Sequence, residues 1–431
     1  MDLISLPKDI LEVIFLIRIT NEFYLKLLSH TCKTFHVIII ELIVAKKITI
    51  PKNFTLDKCK WAARNGYLNL LKWARDMGYK WDSFTCSVAA QNGHLKVLKW
   101  AHANGCKWTS YTCSRAAKNG HLQVLKWARK NHCPWNSWTC TRAAENGHLE
   151  VLQWARENSC KWNKNTCSRA ALNGHLEVLK WARENGCKWD SLVCSNSALN
   201  GYLEVLKWAR KHGCKWLSDT CEDAAEGGHL EVLKWAREYG CEWNEETCGR
   251  AAMNGHLEVL KWARQNNCPW DWQTVNEAAA GGHLGVLKWA RENGFPQNHS
   301  NSICAIAAFH GQLEILKWAR ANGYEWNDQT CLNAASNGHL EVLRWARENG
   351  CEWSSSICAY AAFGGHLEVL KWARENGCEW DNQTCLEAAS NDHHEVLKWA
   401  LENGCPCDDK TRVMIMSRWP DLCNLTIVIK K

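Results

Sequence analysis

The chain has 431 residues, a formal net charge of +7, 46% hydrophobic residues and 25 cysteines. The charge is mild for this length and no long run of one sign appears, which argues against a dedicated nucleic-acid binder with its concentrated basic stripe. The odd cysteine total and the ample apolar content argue against a disulfide-stapled secreted scaffold, and favour buried thiols acting as small apolar side chains in a reducing compartment.

The N-terminus, Met1-Asp2-Leu3-Ile4-Ser5, has neither a basic n-region nor a small-residue cleavage site, so no secretory leader is expected. Val37 to Ala45 is apolar but interrupted by Glu41, and falls far below the ~20 residues that span a bilayer. A soluble protein of the cytosol or nucleus, with no membrane partner, is the expectation. Residues 1–45 form a first region with three short helical patterns. Pro7 stands at a helix start, and Ile10, Leu11, Ile14 and Phe15 mark one helical face. Phe23 to Leu28 and Cys32 to Leu42 supply the second and third.

Leu6, Pro7, Ile10, Leu11, Ile14 and Phe15 together resemble the opening of an F-box. Cys32-Lys33-Thr34-Phe35 is similar to the family's later Cys-Arg-x-Trp element, with Lys for Arg and Phe for Trp as departures. The resemblance implies that those six residues dock a Skp-type adaptor of a cullin ligase. An ordinary helical cap for the rest of the chain is the alternative reading. Residues 46–55, broken by Pro51, read as a linker.

Residues 56–408 are thirteen copies of one unit. Its glycine falls at 66, 93, 120, 147, 174, 201, 228, 255 and 282, a constant step of 27, and after one step of 29 at 311, 338 and 365, with Asp392 in the last slot. Such regularity implies units stacked so that each covers its neighbour's apolar face. Within one unit, Asp82-Ser83 offers an N-cap, and Cys86, Ala89 and Ala90 give a first helix with a narrow buried face. Asn92-Gly93-His94 ends it, and Leu95, Val97, Leu98 and Ala101 give a second helix with a broader one. No run alternates with period two, so the expected fold is all-α.

Ala89-Ala90-Gln91-Asn92-Gly93-His94 followed by Val97-Leu98 resembles the ankyrin repeat. The unit is shorter than that family's roughly 33 residues, and the missing residues fall where its β-hairpin finger stands. Trp-Ala-Arg, as at Trp127-Ala128-Arg129, also replaces the family's Leu-Leu. The expected architecture is an ankyrin-like helix–turn–helix solenoid lacking β-hairpin fingers, behind a small F-box-like subdomain. Such an arrangement is similar to the F-box/ankyrin-repeat proteins of large DNA viruses of amoebae and algae, which implies a host-cell cytoplasmic protein. In repeat nine Val275 takes the cysteine slot and Phe295 to Asn301 carries two extra residues, which reads as a longer loop. Residues 409–431 read as a capping helix (Thr411 to Trp419) and an apolar tail (Leu425 to Ile429).

Several recurrent residues invite chemistry and are read as structural. The histidine series (His94, His121, His148 and onward) has Tyr67, Tyr202 and Gln312 in the same slot, and no Cys-x-x-Cys pair exists, so a metal site is not expected. Turn backbone is the expected hydrogen-bond partner of these histidines. Thirteen tryptophans in the second helix and eleven in the connector read as core packing that fills the gap of the missing hairpin, in preference to a stacking platform for nucleic acid. Glu177, Lys180, Arg183 and Glu184 read as a solvated outer face. No nucleophile–base pair, phosphate loop or paired-acid motif stands out, so neither an enzyme nor a cofactor is expected.

Variation between repeats is the functional signal. First-helix slots away from the core read Arg115, Arg142, Arg169, Asn196, Asp223, Arg250, Glu277, Ile306, Asn333, Tyr360 and Glu387, and one turn on include Phe309 and Phe363. After the connector cysteine, Lys107, Lys161, Lys188 and Lys215 give way to Glu242, Glu352 and Glu379. A groove running from basic to acidic and apolar would bind a target protein of complementary polarity. The expected function is a protein–protein interaction protein, monomeric outside its complexes, recruiting a target to a cullin-type ubiquitin ligase. The alternative is an ankyrin-repeat scaffold or decoy without a ligase link.

Overall fold

A computed structural model of the chain describes residues 58–76, 78–295, 303–352, 354–422 and 425. The F-box-like residues Leu6 to Phe15, the linker, most of the register break and residues 426–431 of the tail therefore lie outside the described residues. Among the described residues there is no strand. Helix pairs run from Lys58–Arg64 with Leu68–Asp76 to Asn382–Ser390 with His394–Glu402, and a last helix, Asp409–Arg418, follows. This is the all-α, ankyrin-like helix–turn–helix solenoid, with no hairpin finger among the described residues. The chain divides into two compact units: one reaches Ser197 and includes Glu204–Lys215, and the other comprises Ala198–Leu203 and everything from Trp216.

The second repeat shows why the unit folds as it does. The Asp82 carboxylate accepts the Phe84 N–H at 2.9 Å and starts the helix Ser83–Gln91. Such a cap satisfies one of the donors that a helix start leaves unpaired, and is worth about 1 kcal/mol. Asn136, Asp271 and Asp381 cap in the same way. Gly93, at φ 76°, turns the chain into the second helix, Leu95–Ala103. Asn104 Nδ2 then donates to the Trp100 carbonyl at 2.8 Å, and the Cys106 N–H reaches the Ala101 carbonyl at 2.9 Å, closing the helix end. Gly105 holds the left-handed position of this second turn. In three other repeats His132, Ser159 and Asn267 adopt it at φ 62–66°.

The core is made of small residues around one large one. Leu98 and its counterparts Leu125, Leu152, Leu179, Leu233 and Leu260 are fully buried, flanked by the Ala-Ala pair, the cysteines and a valine. Within each unit, first helices pack closely on the first helix of the next repeat: Ser83–Gln91 on Ser110–Lys118, and Glu245–Met253 on Trp272–Ala280. Alanine, cysteine and threonine on these faces let the backbones approach. The helix Asp409–Arg418 closes the second unit against Asn382–Ser390, where Arg418 Nη1 donates to the Ala389 carbonyl at 3.0 Å and pairs with Asp392 at 3.1 Å.

Two expectations change in detail. The histidines do bond turn backbone, but it is the turn of the preceding repeat. His94 Nε2 donates to the Arg64 carbonyl at 3.0 Å, His256 to Glu226 at 2.9 Å and His339 to Phe309 at 3.0 Å. Each ring packs against the previous repeat's glycine; a Cβ on Gly93 would stand 2.8 Å from the His121 ring. Gln312 makes the equivalent bond to Ala280 at 3.3 Å, so the slot needs a reach and a donor.

The described tryptophans of the second-helix and connector series, in contrast to the core role expected of them, are half-buried. Trp81 meets Trp100 edge to face with centroids 5.7 Å apart, and Trp108/Trp127 and Trp243/Trp262 repeat that geometry. The arginine of the preceding second helix covers the connector indole: Arg75 lies 4.3 Å over Trp81 and Arg237 4.1 Å over Trp243. The indoles are too large for the close helix contacts of the core, so they form a ridge outside it, sealed by cation–π contacts worth about 0.5–1 kcal/mol each.

Candidate functional site

Because the core slots are occupied almost identically in every repeat, the solvent-facing slots of the first helices are where the repeats differ. In the first unit these slots place aromatic rings beside cations. Phe84, Tyr111 and Trp138, each two residues before a core cysteine, are exposed, Tyr111 at 65%. The Arg115 guanidinium lies 4.4 Å over the Phe84 ring and donates to Gln91 Oε1 at 2.9 Å. Arg142 lies 5.3 Å from the Trp138 centroid and bonds Glu145 at 2.5 Å, while Arg169 approaches the same carboxylate at 3.7 Å. Burial, together with the nearby Arg64 charge, lowers the pKa of Arg115. A cation crowded by a like charge beside partly desolvated rings would gain from an anionic partner. Tyr111, Arg115, Lys118, Trp138 and Arg142 line a cleft of about 500 Å³.

The second unit uses the same slots with different chemistry. Phe309, Tyr360 and Phe363 are exposed, as is Met253. Tyr360 and Phe363 join Asp381, Gln383 and Glu387 around a second cleft of about 430 Å³. Arg250 pairs with Glu226 at 3.4 Å, and Glu387 accepts from Gln383 Nε2 at 2.9 Å. Asp223, Glu277 and Ile306 lie half-buried on their helices.

Not every variable residue is offered to solvent. Asn196 Nδ2 donates to the Ser168 carbonyl at 2.9 Å, and Asn333 Nδ2 to the Ala305 carbonyl at 3.0 Å. Both amides hold one first helix to the preceding one. Two expected groove residues are thereby committed to the scaffold. Sequence reasoning passed over the row Phe84, Tyr111 and Trp138, although Trp138 belongs to neither recurrent tryptophan series, and that departure marks the slot. The connector residues Lys107, Lys161, Lys188 and Lys215 in the first unit, and Glu242, Glu352 and Glu379 in the second, are all exposed.

Among the described residues no group of three or more metal-binding side chains converges, and no helix is long and apolar enough to cross a membrane.

Residues 303–347 match the family model described as ankyrin repeats (many copies). The crystal structure of the human ASB11 ankyrin repeat domain aligns with 36% of this chain and 84% of its own at 16% identity, with a TM-score of 0.30. No curated protein matches the sequence. The matched segment is the repeat pair whose Ala307-Ala308-x-x-Gly311 and Ala334-Ala335-x-x-Gly338-His339 carry the pattern seen throughout residues 56–408.

Proposed function

We propose that this chain is a substrate-recruiting subunit of a cullin-type ubiquitin ligase, contributing placement and no chemistry. Ankyrin repeats serve protein–protein interaction and are typically non-enzymatic scaffolds, and that coarser role follows from the repeats themselves. The finer reading rests on one sequence observation: Leu6, Pro7, Ile10, Leu11, Ile14 and Phe15 carry the F-box pattern ahead of a binding scaffold. The target would sit on the first-helix faces. Arg115, Arg142 and Arg169 would meet acidic side chains of the target, and Phe309, Tyr360 and Phe363 its apolar ones. Charge complementarity of that kind sets specificity and association rate more than raw affinity.

The test is a pull-down from a eukaryotic lysate with the intact chain, with Leu6→Ala/Pro7→Ala, and with Arg115→Glu/Arg142→Glu. Adaptor and cullin, identified by mass spectrometry, are expected with the first and third proteins and not with the second. Absence of both from all three would remove the ligase link and leave an interaction scaffold or decoy.

A further inference from the structure

The buried thiols of this protein are arranged in twos. In ten repeats a first-helix cysteine is followed, twenty residues on, by a connector cysteine of the same repeat. In repeat eleven the Sγ atoms of Cys331 and Cys351 are 2.8 Å apart. Both residues are buried free thiols. The separation exceeds a disulfide bond of ~2.05 Å by less than an ångström. Elsewhere the same arrangement brings Cys86 Sγ to 3.8 Å from the Cys106 carbonyl, and Cys221 Sγ to 3.9 Å from that of Cys241.

Volume alone does not demand this pairing. Val275 fills the first-helix slot of repeat nine and stays buried. Where the connector slot is not cysteine it holds a ring, Tyr79, Phe295 or Tyr324. The two sulfurs of a pair are also chemically unequal. The hydrogen bond from the Cys331 thiol, helped by the Arg320 charge, pulls the Cys351 thiol below its ordinary range against the effect of burial. That same bond and burial push Cys331 up. Cys304, which has Tyr324 in its connector slot, is raised by burial to about 11.

We propose that Cys331–Cys351 is an oxidation site at which a hydroperoxide closes a disulfide within the repeat. The Cys351 thiolate attacks the terminal peroxide oxygen; the O–O bond breaks and the leaving alkoxide takes up a proton as an alcohol. The resulting Cys351 sulfenic acid is attacked by the Cys331 sulfur, the S–S bond forms, and hydroxide leaves with the Cys331 proton as water. Two thiols and one hydroperoxide thus give one disulfide, one alcohol and one water, with two electrons passing from sulfur to oxygen. The new bond ties the first helix to the connector around the second helix, and restricts the unfolded chain more than the folded one. The inference stands independently of the ligase reading.

The experiment treats the full-length folded protein with hydrogen peroxide, quenches it by alkylation in denaturant and maps the peptides by mass spectrometry. The expected result is a Cys331–Cys351 linked peptide, with Cys304 still alkylated as a thiol, and an unfolding temperature that rises on oxidation and returns with dithiothreitol. Cys331→Val, a residue the equivalent slot of repeat nine already holds, keeps the fold and leaves a Cys351 sulfenic acid that a cyclic diketone traps. The proposal is overturned if the folded protein stays fully reduced, if Cys304 oxidises as fast as Cys351, or if Cys351 in the valine variant is not trapped.

Discussion

The first helix of repeat three, Ser110–Lys118, and that of repeat twelve, Ser356–Phe363, share one buried pattern and carry opposite chemistry on their exposed sides. Cys113, Ala116 and Ala117 in the one, and Cys358, Ala361 and Ala362 in the other, are wholly buried. Outside, repeat three shows Tyr111, Arg115 and Lys118, and repeat twelve shows Tyr360 and Phe363 next to Asp381 and Glu387. The fold constrains the first set because close backbone approach admits only small side chains. It leaves the second set to vary, since a residue facing water there changes little in the stack. Binding specificity can therefore diverge between the units while the architecture does not.

The most severe challenge to that comparison is in the core. Leu125→Ala in the first unit and Leu343→Ala in the second should each destabilise by about 2–5 kcal/mol, since both leucines are fully buried. Urea denaturation should give similar losses, and a large disparity would mean that the two cores are not equivalent.

Next in size is the exposed face. Arg115→Glu/Arg142→Glu should weaken binding of a fluorescent oligoglutamate peptide at least about tenfold, or 1.4 kcal/mol, with the unfolding temperature preserved. Tyr360→Ala/Phe363→Ala should leave that binding unchanged. Equal losses would erase the distinction between the faces, and added salt should reduce the wild-type signal.

The histidine latch is a smaller, shared term. His366→Gln should be tolerated, as Gln312 is at its own position, whereas His366→Ala should cost about 1 kcal/mol by leaving the Ser336 carbonyl unpaired. Burial, opposed by the carbonyl hydrogen bond, lowers the pKa of His121, His229 and His366. The unfolded chain then binds more protons than the folded one on acidification. The latch contribution is complete above pH about 6.5 and fades as pH falls through the folded values. Thermal melts from pH 8 to 5 should show the decline, and replacing these three histidines by Gln should flatten it.

The smallest effect concerns the second turn. Ser159→Gly should stabilise by roughly 1 kcal/mol, because a side chain at positive φ carries a cost that glycine avoids. Calorimetry would detect it, and no gain would mean that the Ser159 side chain compensates locally.

Much of this was legible in the residues. The step of 27, the Asp82-type cap, the Gly93-type turn and the Leu98-type core follow from backbone chemistry that acts within one unit, so reading one copy reads them all. The alternation between fixed and variable slots likewise pointed to the exposed Arg169, Phe309, Tyr360 and Phe363, and passed over Phe84, Tyr111 and Trp138. Partners beyond the unit were not legible. That His94 reaches the carbonyl of Arg64, that Asn196 and Asn333 bind the preceding helix, and that Trp81 and Trp100 meet at the surface all depend on how one repeat lies against another.

The sequence by itself determined the helix pair, its ends and its buried stripe, since capping, φ preference and apolar periodicity are local properties. The tertiary structure decided which polar side chains were spent holding repeats together and which were left to face solvent. Stacking brings residues about thirty positions apart into hydrogen-bond range, and only that juxtaposition separates the amides of Asn196 and Asn333, committed to the preceding helix, from the exposed rings of Tyr111 and Trp138.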